Sequence, residues 1–176
     1  MQPPAPPVDS AAFKPWLDAL VDRYERTAFI EEDPIGVPRA FETPDDQETI
    51  GLFAALLAWG RRSVILRKLA ELVDRMDGQP AQFVDRFDAG RDGHQLEGFK
   101  HRTFQPHDAV ALVLAIQEAR RQYGSLGALF ADGLQPGAPD IELAIQQLFA
   151  EFDIEPQISE VGKLKCYQAE GLDIFV

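Results

Sequence analysis

Apolar residues recur along this chain at helical spacing, in runs punctuated by proline and glycine. Phe13, Trp16, Leu17, Leu20, Val21 and Tyr24 fall at i, i+3, i+4, i+7, i+8 and i+11, which gathers them on one face of a helix. Asp9 or Ser10 is placed to cap it, and Pro15 lies near its first turn, where a missing N–H costs little. Residues 31–42, with Pro34, Gly36 and Pro38, read as an irregular connector. Thr43-Pro44-Asp45-Asp46 opens a second helix: a hydroxyl cap, a proline at the first helical position and two acids that suit the dipole. From Ile50 to Trp59 this helix is apolar nearly all round, interrupted by Gly51, so it predicts a buried central element that stops at Gly60.

A third helix is predicted from Arg62 to Met76. Val64, Ile65, Leu69, Leu72, Val73 and Met76 form its inner stripe, and Arg67–Glu71 and Glu71–Arg75 stand at i,i+4 on its outer face. Gly78 and Pro80 close it, and a short helix follows over Ala81 to Phe87. Residues 88–98 read as a glycine- and charge-rich loop. Pro106 opens a long helix to Tyr123, apolar on every face from Ala109 to Ile116 and stopped by Gly124. A short helix over Ser125 to Ala131 and a last one from Asp140, with Ile141, Ile145, Leu148, Phe149 and Phe152 on one face, complete the pattern. The predicted class is all-α: six to eight helices, two of them central and buried, wrapped by amphipathic ones. After Pro156 no cap and no sustained period is legible, apart from a weak alternation over Lys163 to Tyr167. The expected organisation is a proline-rich leader over 1–9, one helical domain over 10–153 and an atypical tail over 154–176 that ends on Ile174-Phe175-Val176.

Charge changes the picture in two steps. The whole chain, 176 residues with a formal charge of −12, is unsuited to nucleic acid or anionic lipid. The acidity is unevenly spread: residues 1–48 carry 11 acids and 4 bases, residues 131–176 carry 9 acids and 2 bases, and the segment between them carries 9 acids and 11 bases. The centre is thus mildly basic. No apolar run approaches the roughly 18 residues of a membrane span. Met1 to Val8 lacks the basic and apolar regions of a signal peptide, so a cytoplasmic protein without membrane association is expected. Cys166 is the one cysteine, which excludes an internal disulfide.

Two clusters carry candidate chemistry. Arg61-Arg62 follows Trp59-Gly60 at the start of a helix, where the dipole disfavours cations; phosphate or a nearby carboxylate would satisfy them. Lys100-His101-Arg102 stands between Phe99 and Phe104 and has the make-up of a phosphate or base contact strip. His94, His101 and His107 lack helical ligand spacing, and there is no H-E-x-x-H, so neither a metal nor another cofactor is expected. Glu31-Glu32-Asp33 reads as a solvated acidic turn.

Three segments in order, Asp33-Pro34-Ile35 with Pro38 and Phe41, Ala58-Trp59-Gly60-Arg61-Arg62, and His101-Arg102-Thr103-Phe104, resemble an uncharacterised bacterial family known as domain of unknown function 2400. The resemblance covers roughly residues 13–150. That family in turn is similar to helix-hairpin-helix DNA base-excision glycosylases in its helix order. The likeness implies that the corner Trp59 to Arg62 approaches a DNA backbone beside an extruded base. Such glycosylases also need an amide-lined hairpin and an aspartate. No hairpin is legible after residue 130, and Leu172-Asp173 is the sequence's nearest match to the family's aspartate stretch, which makes Asp173 the candidate carboxylate. Two functions follow as expectations. The first is a nucleic-acid-associated protein with a degenerate or incomplete glycosylase-like fold, binding DNA weakly and salt-sensitively through Trp59, Arg61, Arg62, Lys100, His101 and Arg102. The second is a non-catalytic interaction domain that needs a partner chain or self-association. Stand-alone catalysis ranks third, since it requires a carboxylate and an orienting group in one pocket.

Overall fold

The computed structural model describes residues 5–7, 9–30, 33–134, 136–137, 140–151 and four two-residue strands at 157–158, 164–165, 168–169 and 172–173. Glu31, Glu32, Pro139, Phe152, Cys166 and Ile174-Phe175-Val176 lie outside the described residues, as does most of the leader, and the side chain of Phe149 is not described. Among the described residues, ten α-helices follow one another: α1 (Phe13–Tyr24), α2 (Thr27–Ile30), α3 (Gly36–Arg39), α4 (Pro44–Leu56), α5 (Arg62–Arg75), α6 (Pro80–Arg86), α7 (Ala89–Asp92), α8 (Pro106–Tyr123), α9 (Leu126–Asp132) and α10 (Glu142–Glu151). The domain is all-α. The strands come after it, as two short antiparallel pairs, β1 (Gln157–Ile158) with β2 (Leu164–Lys165) and β3 (Gln168–Ala169) with β4 (Leu172–Asp173).

α4 and α8 are the central helices, as their apolar runs predict. Ile50 and Phe53 of the first, with Leu57 at its C-cap, and Leu112, Val113 and Ile116 of the second are fully buried, and Leu69 and Leu72 of α5, with Met76 at its C-cap, close over them. Thr43 caps α4 as expected, its Oγ1 accepting from Asp46 N at 3.2 Å. The cap expected at Asp9 or Ser10 does not form on α1, which follows a 3-10 turn over Ser10–Ala12 and has Ala12, with no side-chain bond, at its cap position. Ser125 Oγ accepts from Ala128 N at 2.9 Å and Asp140 Oδ1 from Glu142 N at 3.0 Å.

The acids of α4 reach further than their own helix. Asp46 Oδ1 accepts from Ala81 N at 2.9 Å and so caps α6; Glu48 Oε2 accepts from Gly127 N at 2.8 Å and caps α9. Asp45 and Asp85 both meet Arg120 of α8, a buried guanidinium whose Nε lies 2.8 Å from Asp85 Oδ1. One polar edge of α4 thus ties three other helices together. The dipole argument from sequence accounts for only part of it.

Several expectations are corrected. α1 forms, yet no residue in it is buried, and Phe13, Leu17 and Val21 are 44, 42 and 51% exposed. An apolar period shows that a helix has a face; it does not supply the surface that covers the face. The connector 31–42 contains the single-turn helix α3, in which Pro38 occupies a first-turn position whose N–H has no intrahelical partner to lose. The loop 88–98 contains α7, capped by Asp88 Oδ1 on Arg91 N at 2.8 Å, and a 3-10 turn over Gly93–Leu96. α4 ends at Leu56 rather than Gly60, so Ala58 to Gly60 are free to form a corner. On α5, Glu71 pairs with Lys68 at 2.7 Å and Arg75 at 3.0 Å; Lys68 takes the place expected of Arg67. α10 begins at Glu142, so Ile141, 52% exposed, precedes it, while Leu148 of the predicted face packs against the core beside the buried Ala144.

Candidate nucleic-acid interface

The two basic clusters meet. Leu57 caps α4, Gly60 turns the chain with φ +115°, and Arg61 enters α5 from an extended conformation. The second cluster forms a tight reversal: His101 N donates to Phe104 O at 3.0 Å and Phe104 N to His101 O at 2.9 Å, with Arg102 in the left-handed region at φ +55°. Phe99 and Phe104, both buried and in edge contact at 6.1 Å, anchor this turn to the core. Lys68 and Arg75 place cations 5.3 and 5.9 Å from the Phe99 ring, and the Arg75 guanidinium donates to the carbonyls of Gln95 and Glu97 at 2.7 and 2.9 Å.

Trp59 joins the two segments. Its carbonyl accepts from His101 Nε2 at 3.1 Å, and its ring meets the His101 imidazole edge-on at 5.9 Å. The Arg102 guanidinium lies over the indole, 4.9 Å from its centroid. It also lies against Gly60, where an added Cβ would sit 2.7 Å from Arg102 Nε. Of the six predicted contact residues, His101 is therefore a buried fastener. Burial holds its imidazole below the ordinary pKa, and the Trp59 carbonyl opposes that shift.

The cations differ in how they are matched. Arg62 faces Asp33 at 3.8 Å and stands over Phe29 at 5.2 Å, while Arg102 is matched by an aromatic face. Arg61 and Lys100 are exposed and have no acidic partner among the described residues. The first turn of α5 carries no acid and no side-chain cap, so its N-terminal end adds positive potential at the same place. Phe29 and Asp33 were not read from sequence as part of this corner; they reach it from upstream segments, and no local spacing reveals that.

Other candidates are placed elsewhere. Asp173 lies in β4, which runs beside α8; its side chain is not described. His94 Nδ1 lies 2.8 Å from Arg91 O, and His107 Nε2 lies 3.2 Å from Asp108. Among the described residues no three His, Cys, Asp or Glu side chains are grouped to hold a metal ion, and no helix is long and apolar enough to cross a membrane.

Comparison with known proteins gives a family and one partial relative. The family described as "Protein of unknown function (DUF2400)" matches residues 33–167, more than half of the chain and shifted toward the C-terminus from the expected 13–150. α1 and α2 precede the matched region. A thiopurine S-methyltransferase from Teredinibacter turnerae is 42% identical over 52 residues, which are 29% of this chain and 24% of that protein. The chain thus spans about a quarter of that relative's length. No solved structure matches.

Proposed function

This chain belongs to the family of unknown function DUF2400, and from that premise we propose that it is a nucleic-acid-associated helical domain, of degenerate glycosylase-like form, which grips a phosphate backbone at the corner where α4, α5 and the 101–104 turn converge. The observation that carries this reading is the juxtaposition of Arg61 and Lys100, without acidic partners among the described residues, with the Trp59–Arg102 stack at a helix N-terminus without acids. A flat aromatic offers a base a stacking surface, and unmatched cations offer phosphates counter-charges. His101 supports the corner from below. The domain proposed to fold as one unit spans residues 10–153. The short match to a methyltransferase carries no proposal of methyl transfer, since it takes in 24% of that protein.

The test is fluorescence anisotropy with labelled duplex and abasic DNA at low salt. Binding is expected to be weak and to fall steeply with salt, because the chain's net charge is −12. The combined variant Arg61→Ala, Lys100→Ala should lose about tenfold in affinity, the scale of two phosphate contacts. No detectable binding by the native chain, or unchanged binding by the variant, would sink the reading.

A second reading, an interaction domain completed by a partner, is favoured by the exposed Phe13, Leu17 and Val21 of α1. It predicts concentration-dependent association in sedimentation velocity that Leu17→Ser abolishes. A monomer at all concentrations counts against it.

A further inference from the structure

The apolar face of α1 divides into two edges. Trp16, Leu20 and Tyr24, at i, i+4 and i+8, are half-buried, and Tyr24 meets Phe29 edge-on at 5.7 Å. Phe13, Leu17 and Val21, also at i, i+4 and i+8, form the neighbouring edge and stay exposed along its whole length. A row at this spacing is the ridge that packs in the commonest class of helix–helix contact. The edge is thus shaped to receive another helix, and its own domain supplies none.

A charged border runs beside the exposed edge. Lys14, Asp18 and Asp22 also stand at i, i+4 and i+8, each one residue beyond Phe13, Leu17 and Val21. Lys14 Nζ pairs with Asp18 at 2.7 Å, and both side chains are well exposed. Asp22 has no ion pair among the described residues. The order along the border is base, acid, acid, and a second copy turned end for end complements it. A two-fold axis that pairs helices antiparallel brings the same border of each together. Lys14 then stands beside the partner's Asp22, Phe13 opposite the partner's Val21, and the two Leu17 side chains meet at the axis. A parallel pair would set the charged border against the Trp16–Leu20–Tyr24 side and forgo that match.

We propose that α1 is a self-recognition surface, through which two copies of this chain pair antiparallel on the Phe13–Leu17–Val21 edge, with Lys14 of each copy beside the partner's Asp22. This rests on the second reading above and names the partner that reading leaves open. A lipid surface is a poor occupant, because the border of the edge carries two acids to one base where a helix lying on a membrane carries bases. The two Asp18 carboxylates approach each other near the axis, each offset by its own Lys14. The edge belongs to a single helix about 18 Å long, so the interface is small and the dimer weak, half-formed on the order of 0.1 mM.

Sedimentation velocity of the full chain across a concentration series reads the pairing, and circular dichroism reports whether each variant keeps its helical fold. Lys14→Glu should weaken association about tenfold, and adding Asp22→Lys should restore it. Asp18→Asn removes a like charge from the axis and should tighten association about threefold. Oxidative cross-linking in a Cys166→Ser background, which leaves no native thiol, reads the orientation. Phe13→Cys chains mixed with Val21→Cys chains should join, and neither set should join to itself. Cross-links within either set alone, or a charge exchange that fails to restore association, would overturn the proposal. Association that Leu17→Ser abolishes and the charge variants leave unchanged overturns the antiparallel pair and keeps the second reading. A monomer at every concentration overturns both.

Discussion

The Arg102 guanidinium lies over the Trp59 indole at 4.9 Å because Gly60 leaves room for it: a Cβ there would approach Arg102 Nε to 2.7 Å. Gly60 also holds φ +115°, which an L side chain rarely adopts. Gly60→Ala should therefore cost about 1–3 kcal/mol of stability in urea denaturation. Part of that is displacement of Arg102, so the cost should shrink in an Arg102→Ala background. An equal cost in both backgrounds would assign the whole effect to the backbone.

Glu48 and Gly127 make a prediction whose sign depends on background. Glu48 Oε2 accepts from Gly127 N at 2.8 Å, and a Cβ on Gly127 would collide with the same carboxylate. The φ of Gly127 is not positive, so alanine suits the backbone. Gly127→Ala should destabilise the native chain by about 1 kcal/mol, the scale of a lost cap. In a Glu48→Ala chain the same change should stabilise by about 0.5 kcal/mol. Thermal melts of the four chains complete the cycle.

Arg120 is buried and bridges α4, α6 and α8: Asp85 takes two of its hydrogen bonds, at 2.8 and 3.0 Å, and Asp45 one at 3.1 Å. Arg120→Met should cost about 2 kcal/mol, below the loss typical of a fully buried pair because both aspartates remain half exposed to water. Asp85→Asn should cost more than Asp45→Asn, in line with the number of bonds each accepts. The reverse order in urea titrations would contradict the bridging geometry.

Acidification should weaken the corner through His101. Burial holds the folded imidazole below its ordinary value, against the pull of the Trp59 carbonyl and with help from the Arg102 charge. The unfolded chain takes up a proton near pH 6.5, before the folded chain does. The contribution to stability is thus complete above that pH and is lost as pH falls through it toward the folded value. The urea midpoint should drop between about pH 7.5 and 5, and His101→Gln should flatten that part of the profile. A midpoint that stays level across this range would contradict a buried neutral imidazole.

The sequence alone was sufficient for the helical class, for α4, α5 and α8 as long elements and for the cap at Thr43, because each rests on residues within a turn or two of one another. It also pointed to Arg61-Arg62 and Lys100-His101-Arg102 as charges out of keeping with their surroundings. It did not separate His101, a fastener in the core, from its exposed neighbours, since three polar residues in a row carry no sign of which one turns inward. Nor could it tell that the apolar stripe of α1 stays exposed, or that Glu71 would choose Lys68.

What tertiary structure decided is contact across the chain. Trp59 meets His101 and Arg102 across more than forty residues, Glu48 caps a helix 79 positions away, and Asp33 faces Arg62 from an upstream segment. Periodicity specifies which side of a helix is apolar, because that is a property of the helix itself. Which other helix a side meets, and which charge finds a partner, depends on how all the faces pack at once, and that is settled only when the core closes.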